Sequence, residues 1–203
     1  MPQPLAPSRP EGASLGTIPQ AASPLAERDT SGARFARGKL VHALLQHLPA
    51  MPIPARAAAA RTWLARPGLN LTPGAAAALA NEVLAILSHA DLIGLFGPES
   101  LAEIPLTGVV AGKIIGGLVD RLAVFPDHVL VADYKTNRDP PARAEDTPVL
   151  YLRQMAAYRA VLAEIFPGRA VVCALVWTRT AQVVILPPDL LAQHAPHAEP
   201  AAA

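Results

Sequence analysis

The sequence predicts an α/β fold, with a mixed central sheet flanked by helices and a helical segment ahead of it. Three observations predict this. Apolar residues recur at helical spacing from Phe35 to Leu48 and from Leu150 to Ile165. Strand-type runs fill Ser100 to Val110, Ile114 to Val124, Val129 to Ala132, Ala170 to Thr178 and Gln182 to Leu186. Their order is helices, strand, hairpin, helix, hairpin, which suits a sheet with helices packed against its faces.

Residues 1–33 are rich in Pro, Ala, Gly and Ser with few large apolar side chains, and read as a disordered arm or linker. From Arg34 a helix places Phe35, Leu40, Val41, Leu44, Leu45 and Leu48 on one face, and Pro49 stops it. The proline-broken link Met51 to Pro54 leads to a short helix, Ala55 to Leu64, anchored by Trp63. An alanine-rich helix, Pro73 to Ala90, then buries Leu79, Val83, Leu84, Ile86 and Leu87. Ile93 to Phe96 ends at Gly97-Pro98, and the first strand follows. Phe125-Pro126-Asp127-His128 supplies the turn of the central hairpin. Asn137 to Pro148 reads as a loop before the long helix, which starts at Thr147 or Pro148 and is ended by Pro167-Gly168. The last two strands turn at Arg179-Thr180, and the chain from Pro187 has little to pack. The expected organisation is therefore a domain over 34–186 and a flexible tail over 187–203.

At 203 residues the chain allows one medium domain plus tails, and its 52% hydrophobic content is enough for a core although much of it is alanine. A formal net charge of +1 excludes a globally basic nucleic-acid binder and leaves room only for a local basic patch. The single Cys173 can form neither an internal disulfide nor a four-cysteine iron–sulfur cluster, and its apolar surroundings read as core. Without a signal sequence at the start or an apolar run of about 18 residues, the chain is expected in the cytoplasm with no membrane partner.

The chemistry concentrates between Gly116 and Arg138, where Asp120 precedes the hairpin turn and Asp133 and Lys135 follow it at a similar remove. On adjacent strands the two aspartates could meet. Asp133 and Lys135, two apart, point one way while Tyr134 points the other. Two carboxylates and an ammonium on an apolar sheet suit Mg²⁺, which shares its remaining positions with water and phosphate. A plain surface ion pair is the alternative for Asp133 and Lys135. Glu103 reads equally as a further metal-site carboxylate or an exposed strand residue, and His42 as a ligand or a half-buried helix histidine. Arg34, Arg37 and Lys39 cluster at a helix start that could receive phosphate, and Arg138 and Arg143 lie in the loop after the hairpin. Gln154 and Tyr158, four apart, share one helix face. Neither Asp133→Ala nor Lys135→Ala is expected to unfold a domain in which both lie at a polar site.

Four segments occur in the order of one known family: Gly38-Lys39-Leu40-Val41-His42, Gly117-Leu118-Val119-Asp120-Arg121, Asp133-Tyr134-Lys135-Thr136-Asn137-Arg138 and Gln154-Met155-Ala156-Ala157-Tyr158. Over about Arg34 to Leu186 the sequence resembles the RecB-like PD-(D/E)XK nuclease domains, most closely those ending the AddA-type helicase–nuclease subunits of bacterial double-strand-break repair. The resemblance implies a restriction-endonuclease-like core in which His42, Asp120, Asp133 and the Tyr134 carbonyl hold a divalent metal. The metal would be Mg²⁺, with Mn²⁺ as an alternative. It further implies Asp120, Asp133 and Lys135 as catalytic residues, with Gln154 and Tyr158 orienting the site, and Arg34, Arg37, Lys39, Arg138 and Arg143 as DNA contacts. The implied activity is exonucleolytic hydrolysis of single-stranded DNA ends during repair and recombination. The implied partners are a helicase portion and a second, AddB-like subunit, in the bacterial cytoplasm at the nucleoid. A catalytically silent module that binds DNA or a partner subunit is the alternative. The chain departs from its relatives in lacking a Gly-x-x-x-x-Gly-Lys-Ser/Thr loop, hence an ATP site, and in carrying Gln46 where many have an acid.

Overall fold

A computed structural model describes residues 31–97, 100–136 and 139–197. The expected mixed sheet has five strands in sequence order: β1 (Ser100–Val110), β2 (Lys113–Val124), β3 (His128–Lys135), β4 (Ala170–Trp177) and β5 (Gln182–Leu186). Every neighbouring pair is antiparallel except β3 and β4, which run parallel because a helix joins them. That helix is α4 (Val149–Ile165), and α1 (Ser31–His47), α2 (Ile53–Leu64) and α3 (Pro73–Leu87) precede the sheet. Most of the arm expected over 1–33 lies outside the described residues, but Ser31–Ala33 form the start of α1.

The helices divide between the two faces. On one, Val41, Leu44 and Leu45 of α1, Leu64 of α2 and Val83 and Ile86 of α3 pack with Leu130, Ala132 and Val176 of the sheet. On the other, Leu152, Met155, Val161 and Leu162 of α4 pack on Val129, Val131, Cys173 and Leu175. β3 and β4 are covered on both sides, which is why Val129 to Ala132 and Ala170 to Trp177 read as continuous apolar runs rather than alternating ones. Glycines admit the closest approaches of α4: a Cβ on Gly108 would stand 2.7 Å from Val161, and one on Gly117 2.7 Å from the Tyr158 ring.

Two local expectations are corrected. The chain after Pro187 is not all loose tail, because Pro188–Ala192 forms a short helix, α5, whose Leu191 is buried with Trp177 and Leu186 in the α4-side core. In the second, the stretch 139–148, expected as plain loop, also holds one 3-10 turn, over Ala144–Asp146. Among the described residues no helix is long and apolar enough to cross a membrane.

Candidate active site

The site begins where the β2–β3 ladder stops. Its last pair is Arg121 with Ala132, so the next residues on each strand are Asp120 and Asp133. There the Tyr134 N–H donates to Asp120 Oδ2 at 2.6 Å, and a carboxylate stands in for a strand carbonyl. On the other side of β2, pairing with β1 skips from Ala102–Arg121 to Ile104–Val119, and the omitted Glu103 has φ of 53°. A left-handed glutamate inside a strand costs about 1–3 kcal/mol and is the kind of strain found at functional sites. Side-chain alternation also breaks here. Val119 packs on the α4 side, yet Arg121, two residues later, reaches across the opposite face to the Leu95 carbonyl at 3.3 Å. Asp120 alternates with Val119 and so faces α1, and period-two reading fails only at the next residue, Arg121, which stays on that side.

Helix α1 meets the seam at Gly38, where a Cβ would lie 3.0 Å from Thr136 Oγ1. One turn later on the same face, His42 places Nδ1 3.3 Å from Asp120 Oδ1 and 3.8 Å from Glu103 Oε1. Donor atoms of His42, Glu103 and Asp120 all lie within 4.8 Å of one another. Burial works against the charged imidazole, but the hydrogen bond and charge of Asp120, helped by Glu103 and Asp133, hold His42 above its usual pKa. Burial and the neighbouring Asp120 charge raise Glu103 as well. Both groups therefore hold protons more tightly than usual, Glu103 mainly through burial and His42 through its carboxylate neighbours.

A second constellation lies on the α4 face. Asp133 forms an ion pair with Lys135, and both are almost fully buried. Gln154 clamps the pair: Nε2 donates to Asp133 Oδ1 at 2.8 Å, and Oε1 accepts from Lys135 Nζ at 3.0 Å. Tyr158 Oη donates to the Leu118 carbonyl at 2.9 Å, tying α4 to the strand that carries Asp120, and its ring rests on Gly117. Desolvation raises the Asp133 carboxyl well above the usual range, with Lys135 pulling it back and Asp120 adding to the rise. The expectation of an ordinary polar location is corrected here. Removing either charge would leave the other buried and uncompensated, so truncation endangers the fold as well as the chemistry.

Tyr134 contributes its N–H to Asp120, and its ring meets His42 edge-on at 5.4 Å between centroids. Of the expected DNA contacts, Arg37, Lys39 and Arg143 have described side chains. Arg37 is committed to Glu82 by an ion pair and reaches the Thr136 carbonyl at 3.4 Å. Lys39 is exposed on α1, and Arg143 is exposed and 3.3 Å from Glu145. The Arg34 side chain and the whole of Arg138 lie outside the described residues. Sequence reading passed over Tyr151, whose ring lies 3.8 Å from Lys135 Nζ. Its spacing to Gln154 and Tyr158, three and seven residues along one helix face, was the available signal.

The sequence matches the profile of the PD-(D/E)XK nuclease superfamily over residues 17–198. The chain belongs to this superfamily. No curated protein matches it. Among solved structures, a "Putative exonuclease" from Eubacterium rectale aligns with a TM-score of 0.54 at 10% identity, over 82% of this chain and 63% of that one. This chain thus spans less than two thirds of that protein, and at such identity the likeness concerns the fold alone. The structure of SSO0001 aligns at 15% identity over 81% of this chain and 83% of that one, with a TM-score of 0.34 that is too low to bear on the fold. PD-(D/E)XK nucleases usually use divalent metals, and the donor chemistry here fits one. An imidazole nitrogen and two carboxylate oxygens converge, a donor set of the kind that holds a divalent ion.

Proposed function

We propose that this chain is a divalent-metal-dependent deoxyribonuclease. It hydrolyses phosphodiester bonds at single-stranded DNA ends, as the nuclease part of an AddA-type helicase–nuclease complex with an AddB-like second subunit in break repair and recombination. The observation that carries the reading is the juxtaposition, at the open end of the β2–β3 ladder, of the His42–Glu103–Asp120 trio with the buried Asp133–Lys135 pair. Hydrolysis of a phosphodiester needs an activated water and compensation of charge on the phosphoryl oxygens and the leaving oxygen. His42, Glu103 and Asp120, whose donor atoms converge, would hold Mg²⁺ or Mn²⁺ with the Tyr134 carbonyl, and the ion would supply both; Asp133, expected to join them, would have to share its oxygens with Lys135 and Gln154 to do so.

The protein's own residues supply the rest. Lys135 carries three N–H donors: Asp133 and Gln154 take two, and the third, on the side of the Tyr151 ring, is the one for which a phosphoryl oxygen or the attacking water would compete. Gln154 holds the carboxylate and the ammonium in fixed relation, so both are oriented before substrate arrives. Tyr158 fixes α4 against β2 and thereby the distance between the two halves of the site. The polymer's phosphates would be met by Arg34, Arg37, Lys39, Arg138 and Arg143, with Arg37 and Arg143 in competition with Glu82 and Glu145.

The test is incubation of the purified chain with end-labelled single-stranded DNA and Mg²⁺ or Mn²⁺, with and without chelator. Progressive shortening that chelator abolishes is the expected result. Binding without cutting under every metal condition would replace the nuclease by a silent DNA-binding module of the same fold.

A further inference from the structure

We propose that Tyr151 is a positioning residue for Lys135, its aromatic face forming the third wall of the cradle that aims the ammonium. The inference rests on the nuclease reading above and adds to it a residue that neither the four sequence segments nor the metal trio includes.

Lys135 is 8% exposed, and a buried ammonium must have each of its sides occupied. Asp133 takes one side as a carboxylate, and Gln154 Oε1 takes a second at 3.0 Å. On a third lies the Tyr151 ring, with its centroid 3.8 Å from Nζ, well within the range at which an aromatic face attracts a cation. A third oxygen acceptor would also stabilise the charge, but it would take the last N–H away from the substrate. The third N–H then faces the ring, a weaker and less directional partner than an oxygen, so the ammonium stays anchored while a phosphoryl oxygen or water can compete for that hydrogen. Helix α4 fixes this geometry as one unit, because Tyr151, Gln154 and Tyr158 occupy successive turns of one face and Tyr158 is tied to Leu118. The ring is only partly buried and packs at the margin of the α4-side core. Its loss therefore opens no large interior cavity, and its effect on the lysine can be separated from an effect on folding.

The proposal predicts that Tyr151→Leu lowers kcat for metal-dependent DNA hydrolysis by about 5- to 30-fold with little change in KM, the range of a partly desolvated cation–aromatic contact. Tyr151→Phe, which keeps the face and drops the hydroxyl, restores the rate to within about twofold. In a Lys135→Met background Tyr151→Leu costs nothing further, because the group it acts through is gone. An independent readout is the Lys135 ε-methylene proton resonance, which the ring should shift upfield in the parent and in Tyr151→Phe and not in Tyr151→Leu. Three outcomes overturn the proposal: an unchanged kcat in Tyr151→Leu, an equal further loss in the Lys135→Met background, or a raised KM at constant kcat, which would make Tyr151 a stacking platform for a base. A parent chain that cuts no DNA under any metal condition sinks the nuclease reading itself, a failure distinct from all three.

Discussion

Replacing Gln154 by leucine tests whether the Asp133–Lys135 pair is the buried, clamped unit described above. The side chains are similar in size, so the change removes hydrogen bonds without opening a large hole. Two bonds to charged partners are lost, 2.8 Å to Asp133 Oδ1 and 3.0 Å from Lys135 Nζ. Each is worth about 1.5–3 kcal/mol, because the partner is ionised and shut away from water. Against their sum of about 3–6 kcal/mol stands the apolar gain of a buried leucine, about 1–2 kcal/mol at a site this closed. The net loss is about 1–5 kcal/mol, or roughly 3–15 °C in Tm for a domain of this size. Urea denaturation followed by circular dichroism, with a matching thermal scan, measures it. A Gln154→Leu variant as stable as the parent would show that water already satisfies both charges, and the clamp would be refuted.

Three further outcomes are expected. Glu103→Gln should weaken Mn²⁺ binding, read by isothermal titration calorimetry, by about tenfold or more, since it takes one anionic oxygen from a trio whose donors lie within 4.8 Å; unchanged affinity would remove Glu103 from the metal site. Gly117→Ala should cost about 1–3 kcal/mol in chemical denaturation, because its Cβ would meet the Tyr158 ring at 2.7 Å where that ring tethers α4; a neutral substitution would mean the helix is free to shift. DNA affinity should fall steeply between low and physiological salt if Lys39, Arg143 and their neighbours contact phosphate, whereas a flat salt response in a filter-binding titration would exclude them.

The elements that made the fold legible were those whose sequence pattern and packing agree. The periodic α1 and α4, the turn at Phe125 to His128 and the β-rich runs all appear where their residues place them, because each buries its apolar side against a layer that the others supply. The site was legible only as far as short-range geometry reaches. Asp133, Lys135 and Gln154 meet because a strand of period two faces a helix that presents Gln154 inward. Glu103 could not be decided from the sequence, since its role depends on a left-handed backbone that nothing about a glutamate announces. The face switch between Val119 and Arg121 was equally hidden, because it comes from the two ladders parting around Asp120 and not from any residue's preference. The burial of Asp133 and Lys135 escaped for a related reason. Charged residues are read as surface until a clamp such as Gln154 is known to satisfy them. Leu190 and Leu191 are the remaining case, two large apolar residues in a tail of alanine, proline and polar residues that pack into the α4-side core.

The central claim is that the residues around the open β2–β3 seam cut DNA with the help of a divalent ion, and one comparison tests it most directly. End-labelled single-stranded DNA is incubated with Mg²⁺ and either the parent chain or Asp120→Asn, which keeps an oxygen acceptor for the Tyr134 N–H but removes the negative charge from the trio. The expected result is degradation by the parent, a loss of at least about 10³-fold in the variant, and DNA binding that differs little between them. Degradation by Asp120→Asn at near the parent rate would contradict the claim and place any nuclease activity elsewhere.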